Sequence, residues 1–228
     1  MNTESFEDIY LQLRLRFATK FDSGHQIEHA LIVASHSYLA LKDFPHLTQN
    51  QKDAIIVAAL MHDFNDHKFI PKSEHIDLHK LLSDYLPEET ITLTVEMIEL
   101  ISCSKNGDTL ISPSWMAIPR YADRLEAMGP IGLVRAISYA NHINRPFIEE
   151  DTPKAYNEEQ LDEICTYSRY LEYTSGKRDS GSTIDHLYDK ILHLSVPKWV
   201  GSKTLETIAF ERRNWLRKYI LDYFNGNY

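Results

Sequence analysis

The chain has 228 residues, 43% hydrophobic and 25% charged, with a formal net charge of −9. Such a length predicts one domain with a sizeable core, and thirteen Tyr, nine Phe and three Trp exclude a disordered or low-complexity chain. An acidic sequence without a basic run is poorly suited to coating a nucleic-acid duplex or docking on an anionic membrane, because both reward clustered Lys and Arg.

The periodicity is helical almost throughout, which predicts an all-α fold. A first helix follows Ser5, with Ile9, Leu11, Leu13 and Phe17 as its apolar positions. A second is expected from about Ile27 to Lys42, after Gly24. Thr48 and Gln51 have the spacing of a capping box, in which each side chain satisfies a backbone N–H of the other. They open a third helix over Gln49–Met61, apolar nearly all round after Asp53 and therefore central. Further helices are expected over Ser73–Tyr85, from Pro87 to Ile101, over Ser114–Met128 with a kink or restart at Pro119, and over Pro130–Ala140. Residues 144–154 read as a loop. Asn157–Thr174, Ser182–Leu194 and Ser202–Phe224 complete the set. The expected organisation is a single domain over 1–228, with a core of about 22–145 and a C-terminal helical extension of about 155–225.

The longest purely apolar run, Ala54–Met61, is far too short to span a bilayer. The N-terminus has no apolar segment of signal-peptide type, and Cys103 and Cys165 are too few for a disulfide framework. A cytoplasmic protein is expected.

The densest polar cluster follows the buried third helix: His62, Asp63, Asp66, His67 and Lys68 within seven residues. An adjacent His and Asp at a helix end can aim at one point, and an imidazole with a carboxylate suits a divalent cation. A capping Asp beside a surface His is the competing reading. Two other residues bear on the choice. His29 sits near the start of the second helix. Asp123 stands among small and apolar neighbours on a helix, where a carboxylate is costly unless paired or ligating. Arg124, its chain neighbour, points in a different direction on a helix.

The order His29, His62-Asp63, Asp123 resembles the HD-domain metal-dependent phosphohydrolase superfamily. Gly24-His25 with His29, His62-Asp63 with Asp66 and Lys68-Phe69, Ala122-Asp123-Arg124-Leu125, Arg145-Pro146 and Ser182-Thr183-Ile184 with His186, Tyr188 and Lys190 are similar to one small stand-alone bacterial branch with nucleotide pyrophosphohydrolase activity. The resemblance spans about residues 22–220. It implies an HD-domain helical bundle with additional C-terminal helices. It also implies one divalent metal on His29, His62, Asp63 and Asp123, with Mn²⁺ favoured and Mg²⁺, Ni²⁺, Fe²⁺ or Zn²⁺ as other candidates. Gln26, Ile32 and Ser104 depart from the branch pattern and bear on the substrate's identity.

In that setting Asp63 and Asp66 are the catalytic carboxylates, with Asp66 orienting a water or serving only as a turn carboxylate. Lys68, Lys105, Arg124, His186 and Lys190 are the candidate phosphate contacts, each weighed against an ordinary surface or structural role. Arg124 could instead pair with Glu126 or Asp66. His75 and His79, four apart on one expected helix, form a candidate second metal site or simply a polar face. The expected activity is hydrolysis of a soluble nucleotide, most concretely (d)NTP to (d)NMP and pyrophosphate. A 5′-nucleotidase or cyclic-nucleotide phosphodiesterase on the same site is the first alternative, and a non-catalytic nucleotide-binding regulator the second. A homodimer is compatible with either.

Overall fold

The computed structural model describes residues 3–20, 27–66, 70–102 and 106–227. Among these residues every regular element is a helix or a short 3-10 turn, as the periodicity predicts. In chain order the helices are α1 (Thr3–Lys20), α2 (Ile27–Ala40), α3 (Gln49–Met61), α4 (Leu78–Leu82), α5 (Glu88–Ile101), α6 (Ile118–Leu125), α7 (Gly129–His142), α8 (Glu158–Ile164), α9 (Tyr167–Thr174), α10 (Thr183–Asp189) and α11 (Lys203–Asn225). No helix among the described residues is long and apolar enough to cross a membrane. The chain divides into two compact units, Met1–Asp123 with Pro197–Leu205, and Arg124–Val196 with Glu206–Tyr228.

In the first unit α3 lies between α2 and α5, while α1 packs on α2 and α4 on α5. The central place of α3 follows from its sequence: Ala54, Ile55, Val57, Ala58, Ala59, Leu60 and Met61 are all buried. Its start is the predicted capping box, with the Gln51 N–H donating to Thr48 Oγ1 at 3.3 Å and the Thr48 N–H donating to Gln51 Oε1 at 3.0 Å. One core cluster joins Ile9, Leu13 and Phe17 of α1 to Val33 of α2, Leu60 and Met61 of α3, and Phe64 just beyond. The segment Pro197–Leu205 is tied in at Asp43, which accepts from Ser202 Oγ at 2.8 Å and the Thr204 N–H at 2.9 Å. Partial burial works against this carboxylate, but the donors hold its pKa below the usual range.

Two expected helices of this unit are shorter in the structure. Asp77 accepts from the His79 and Lys80 N–H groups and so starts α4 there, leaving Lys72–Glu74 as a separate 3-10 turn. A carboxylate competing for backbone donors is a start signal, not a continuation. His75 and His79 therefore do not share a helix: His75 Nε2 lies 3.1 Å from the Ile70 carbonyl and His79 Nδ1 3.6 Å from Glu88 Oε1. Further on, Ser114–Ala117 is a 3-10 turn and α6 restarts at Ile118, with Pro119 in its first turn, where a missing N–H costs nothing.

In the second unit α10 packs on α7 and α9. The stretch 157–174, expected as one helix, is two: Thr166 accepts from the Arg169 N–H at 3.3 Å and opens α9 after α8 has ended. Similarly, α10 ends at Asp189, because Lys190 leaves helical geometry at φ −132° and ψ −59°. Gly129 starts α7 at φ +66°, and an added Cβ would lie 3.0 Å from the Arg212 side chain, so both conformation and space call for glycine. Arg212 donates to the Leu125 carbonyl and, at 2.8 Å, to Glu126 Oε1.

Candidate metal centre

The C-terminal end of α3 sets the site. His62 directly follows the last helical residue, and its Nδ1–H donates to the Ala59 carbonyl at 2.8 Å, taking up an acceptor that a helix end leaves unpaired. This bond fixes the ring so that Nε2 turns the other way. His29 comes from the first turn of α2 and Asp123 from α6. The buried Arg120 holds α6 against the end of α5, donating to the Leu100 carbonyl at 2.6 Å and the Thr109 carbonyl at 3.0 Å.

The predicted ligands converge. His29, His62 and Asp123 offer atoms that all lie within 4.8 Å of one another. His29 Nε2 is 3.1 Å and His62 Nε2 3.7 Å from Asp123 Oδ1. Asp63 Oδ2 is 3.3 Å from His62 Nε2 and 3.9 Å from His29 Nε2. The two rings meet edge-on with centroids 5.2 Å apart. Side-chain exposure is 8% for His29, 4% for His62, 10% for Asp63 and 30% for Asp123, so the cluster opens to solvent at Asp123.

Two observations test whether a cation fits. Ligand atoms about 2.1 Å from one ion stand roughly 3.0–3.5 Å apart, close to the spacings found here. His62 Nε2 is buried without an aligned hydrogen bond among the described residues, although carboxylates surround it. An ion would satisfy that lone pair. Burial alone would lower the His62 pKa, but the carboxylates of Asp63 and Asp123 outweigh it and raise the ring from 6.5 to about 9. Asp123 is pushed up by burial yet ends below the usual range, because His29 donates to it and both rings attract it. The donor set of two imidazoles and two carboxylates suits a first-row divalent ion.

The other predicted residues distribute as follows. Asp66 is half-buried on the turn after Asp63, with its N–H donating to the Asp63 carbonyl at 3.1 Å. His25, Lys68 and Lys105 lie outside the described residues. Arg124 is buried and donates to the Ser195 carbonyl at 3.3 Å, and Glu126 pairs with Arg212. His186 and Lys190 belong to the second unit. Burial, with the charges of Lys190 and Arg145 nearby, pushes the His186 pKa down to about 4, so the ring is neutral at physiological pH. It packs edge-on against Tyr173 at 5.5 Å. The sequence offers no signal that Arg145 or Tyr173 lies beside His186; only the fold brings them to it.

No family model matches the chain. The uncharacterised protein L803 of Acanthamoeba polyphaga mimivirus is 34% identical over 215 residues, covering 88% of this chain and 87% of that protein. A solved structure of an HD-superfamily hydrolase from Bacillus thuringiensis is similar with a TM-score of 0.65 at 19% identity, covering 98% of this chain and 96% of the other. Bacillus subtilis YpgQ, solved in complex with ADP, is similar with a TM-score of 0.66 at 18% identity, covering 98% and 95%. A Lactobacillus plantarum protein gives a TM-score of 0.65 at 22% identity, covering 99% and 97%. At 34% identity over 88% of its length the chain belongs to the same family as L803, and its fold is the one shared by these solved structures, an HD-superfamily hydrolase among them.

Proposed function

We propose that this protein is a divalent-metal-dependent phosphohydrolase of soluble nucleotides, converting a (d)NTP to the (d)NMP and pyrophosphate. The observation that carries this reading is the convergence of His29, His62 and Asp123, with Asp63 alongside, on one partly solvent-open point. Two further facts support it: one similar structure is an HD-superfamily hydrolase, and another, YpgQ, was solved with ADP. A bound cation supplies positive charge that polarises a phosphoryl group and acidifies a water. Mn²⁺ is the favoured ion, with Mg²⁺, Ni²⁺, Fe²⁺ or Zn²⁺ as other candidates for the mixed nitrogen and oxygen donors. Asp66, on the turn following the ligands, is assigned the orientation of the attacking water. Lys68 and Lys105 are assigned to the phosphates. The setting proposed for this chemistry is the cytoplasm.

A panel of NTPs, dNTPs, NMPs and cyclic dinucleotides assayed with Mn²⁺ tests the reading. Pyrophosphate released from a triphosphate is the expected product. Orthophosphate from a monophosphate would make the protein a nucleotidase. Saturable nucleotide binding without product at high enzyme concentration would make it a regulator.

The site also predicts a pH dependence. In the metal-free chain His62 keeps its second proton up to about pH 9, and ligation requires its loss. The apparent Mn²⁺ affinity should therefore rise about tenfold per pH unit from near neutrality towards pH 9 and then level off. Calorimetry in buffers of different ionisation enthalpy should report about one proton released. An affinity that does not change over this range would remove His62 from the ligand set. The same shift makes the metal-free fold pH-sensitive: the stabilisation from the charged ring is complete below 6.5 and lost as the pH rises through about 9.

A further inference from the structure

The turn that carries Asp63 and Asp66 is gripped by a residue far away in the chain. Helix α1 docks through Ile9, Leu13 and Phe17 onto the cluster containing Met61 and Phe64. Arg16, next to Phe17, then reaches over the Phe64 ring, with its guanidinium carbon 5.3 Å from the centroid. Its Nε donates to the Phe64 carbonyl at 3.2 Å, and its Nη2 to Asn65 Oδ1 at 3.4 Å and the Glu74 carbonyl at 2.8 Å. Asn65 continues the clamp. Its Nδ2 donates to the Ile76 carbonyl at 2.7 Å, and its Oδ1 accepts from the Ile76 N–H at 3.1 Å.

The turn's own bonds run from the Phe64 N–H to the Met61 carbonyl and from the Asp66 N–H to the Asp63 carbonyl. They leave the Phe64 carbonyl and the Asn65 side chain to outside partners. A rigid planar fork with several donors can hold a carbonyl of the turn, a side chain on it and a carbonyl of the neighbouring 72–76 segment at the same time. A lysine, whose three donors all radiate from one nitrogen, cannot span them with the same geometry.

We infer that Arg16 is a positioning residue of the metal centre: by fixing the Phe64–Asn65 backbone it sets where the Asp63 carboxylate stands relative to the two imidazoles. This rests on the metal-centre reading above. Groups that orient ligands are worth about 10–100-fold in metal affinity when removed. The inference is therefore an affinity statement, separate from any effect on folding.

The test is titration of the full-length protein with Mn²⁺ alone, followed by calorimetry or by the EPR signal of free Mn²⁺, well below the melting temperature. Arg16→Gln should keep the far-ultraviolet circular dichroism of the wild type and bind Mn²⁺ about 10–100-fold more weakly. Arg16→Lys, which keeps the charge but not the spread of the planar fork, should fall between the two. A purely structural role would lower the melting temperature and leave the Kd of the folded protein unmoved. A Kd within twofold of wild type in folded Arg16→Gln overturns the assignment. If that variant does not fold, Asn65→Ala removes the other half of the clamp and must weaken Mn²⁺ binding likewise; an unchanged Kd there overturns it equally. His62→Ala separates the two levels. Mn²⁺ binding retained in His62→Ala would overturn the metal centre, and the role of Arg16 with it, whereas loss there combined with full affinity in Arg16→Gln overturns the role of Arg16 alone.

Discussion

Asp63→Ala is expected to abolish both bound metal and hydrolysis while leaving the helix content of the protein intact. Asp63 lies beyond the end of α3, so its removal takes no residue out of a helix. What it removes is the carboxylate 3.3 Å from His62 Nε2, which is also the main source of the charge that raises that ring's pKa. A Lewis-acid contribution of several kcal/mol corresponds to a loss of roughly 10³-fold or more in turnover. Asp63→Asn, equal in size but uncharged, should behave the same way, which separates charge from packing. The checks are metal content by mass spectrometry, turnover on the nucleotide panel and circular dichroism. Full turnover in either variant would falsify the site.

The second large effect belongs to stability. Arg169 is buried in the second unit between two carboxylates of α10. Its Nη2 donates to Asp185 Oδ1 at 2.7 Å, and its Nε to Asp189, whose side chain is 0% exposed. Ser180 Oγ donates to the other oxygen of Asp189 at 2.7 Å, and Ser182 Oγ and Thr152 Oγ1 donate to Asp185 at 2.7 and 3.0 Å. The guanidinium also lies over the Tyr188 ring, 5.3 Å from its centroid. Every charge in the group is met, so removing one partner strands the others. Arg169→Leu should cost about 3–5 kcal/mol of unfolding free energy, read from urea titration. Adding Asp189→Asn should cost much less than a second independent change, because it removes the charge left stranded. A loss below about 1 kcal/mol for Arg169→Leu would mean that the pair is hydrated and weighs little.

His29, His62, Asp63 and Asp123 stand out in the sequence through their order along the chain, which resembles the HD-domain superfamily. Taken locally, an imidazole beside a carboxylate at the end of an apolar helix also reads as a capping Asp with a surface His, and only the Asp on a buried helix is odd by itself. The Thr48 cap of α3 is legible from neighbouring residues alone, since a capping box is complete within four residues. The shortening of α4 and the break between α8 and α9 were less so. Asp77 and Thr166 are start signals inside stretches whose apolar spacing still reads as continuous.

The pairings were not legible at all. Nothing in the sequence says that Arg212 meets Glu126, that the charge of Arg145 lies near His186, or that Arg16 crosses to Phe64 and Glu74. An arginine accepts any carbonyl or carboxylate that the packing brings within reach. The sequence alone determined which groups exist and that the chain around them is helical, because side-chain chemistry and helical period are local properties. Only the tertiary structure decided which donor meets which acceptor and how close His29, His62, Asp63 and Asp123 come, because those depend on how the apolar faces of distant helices settle against one another.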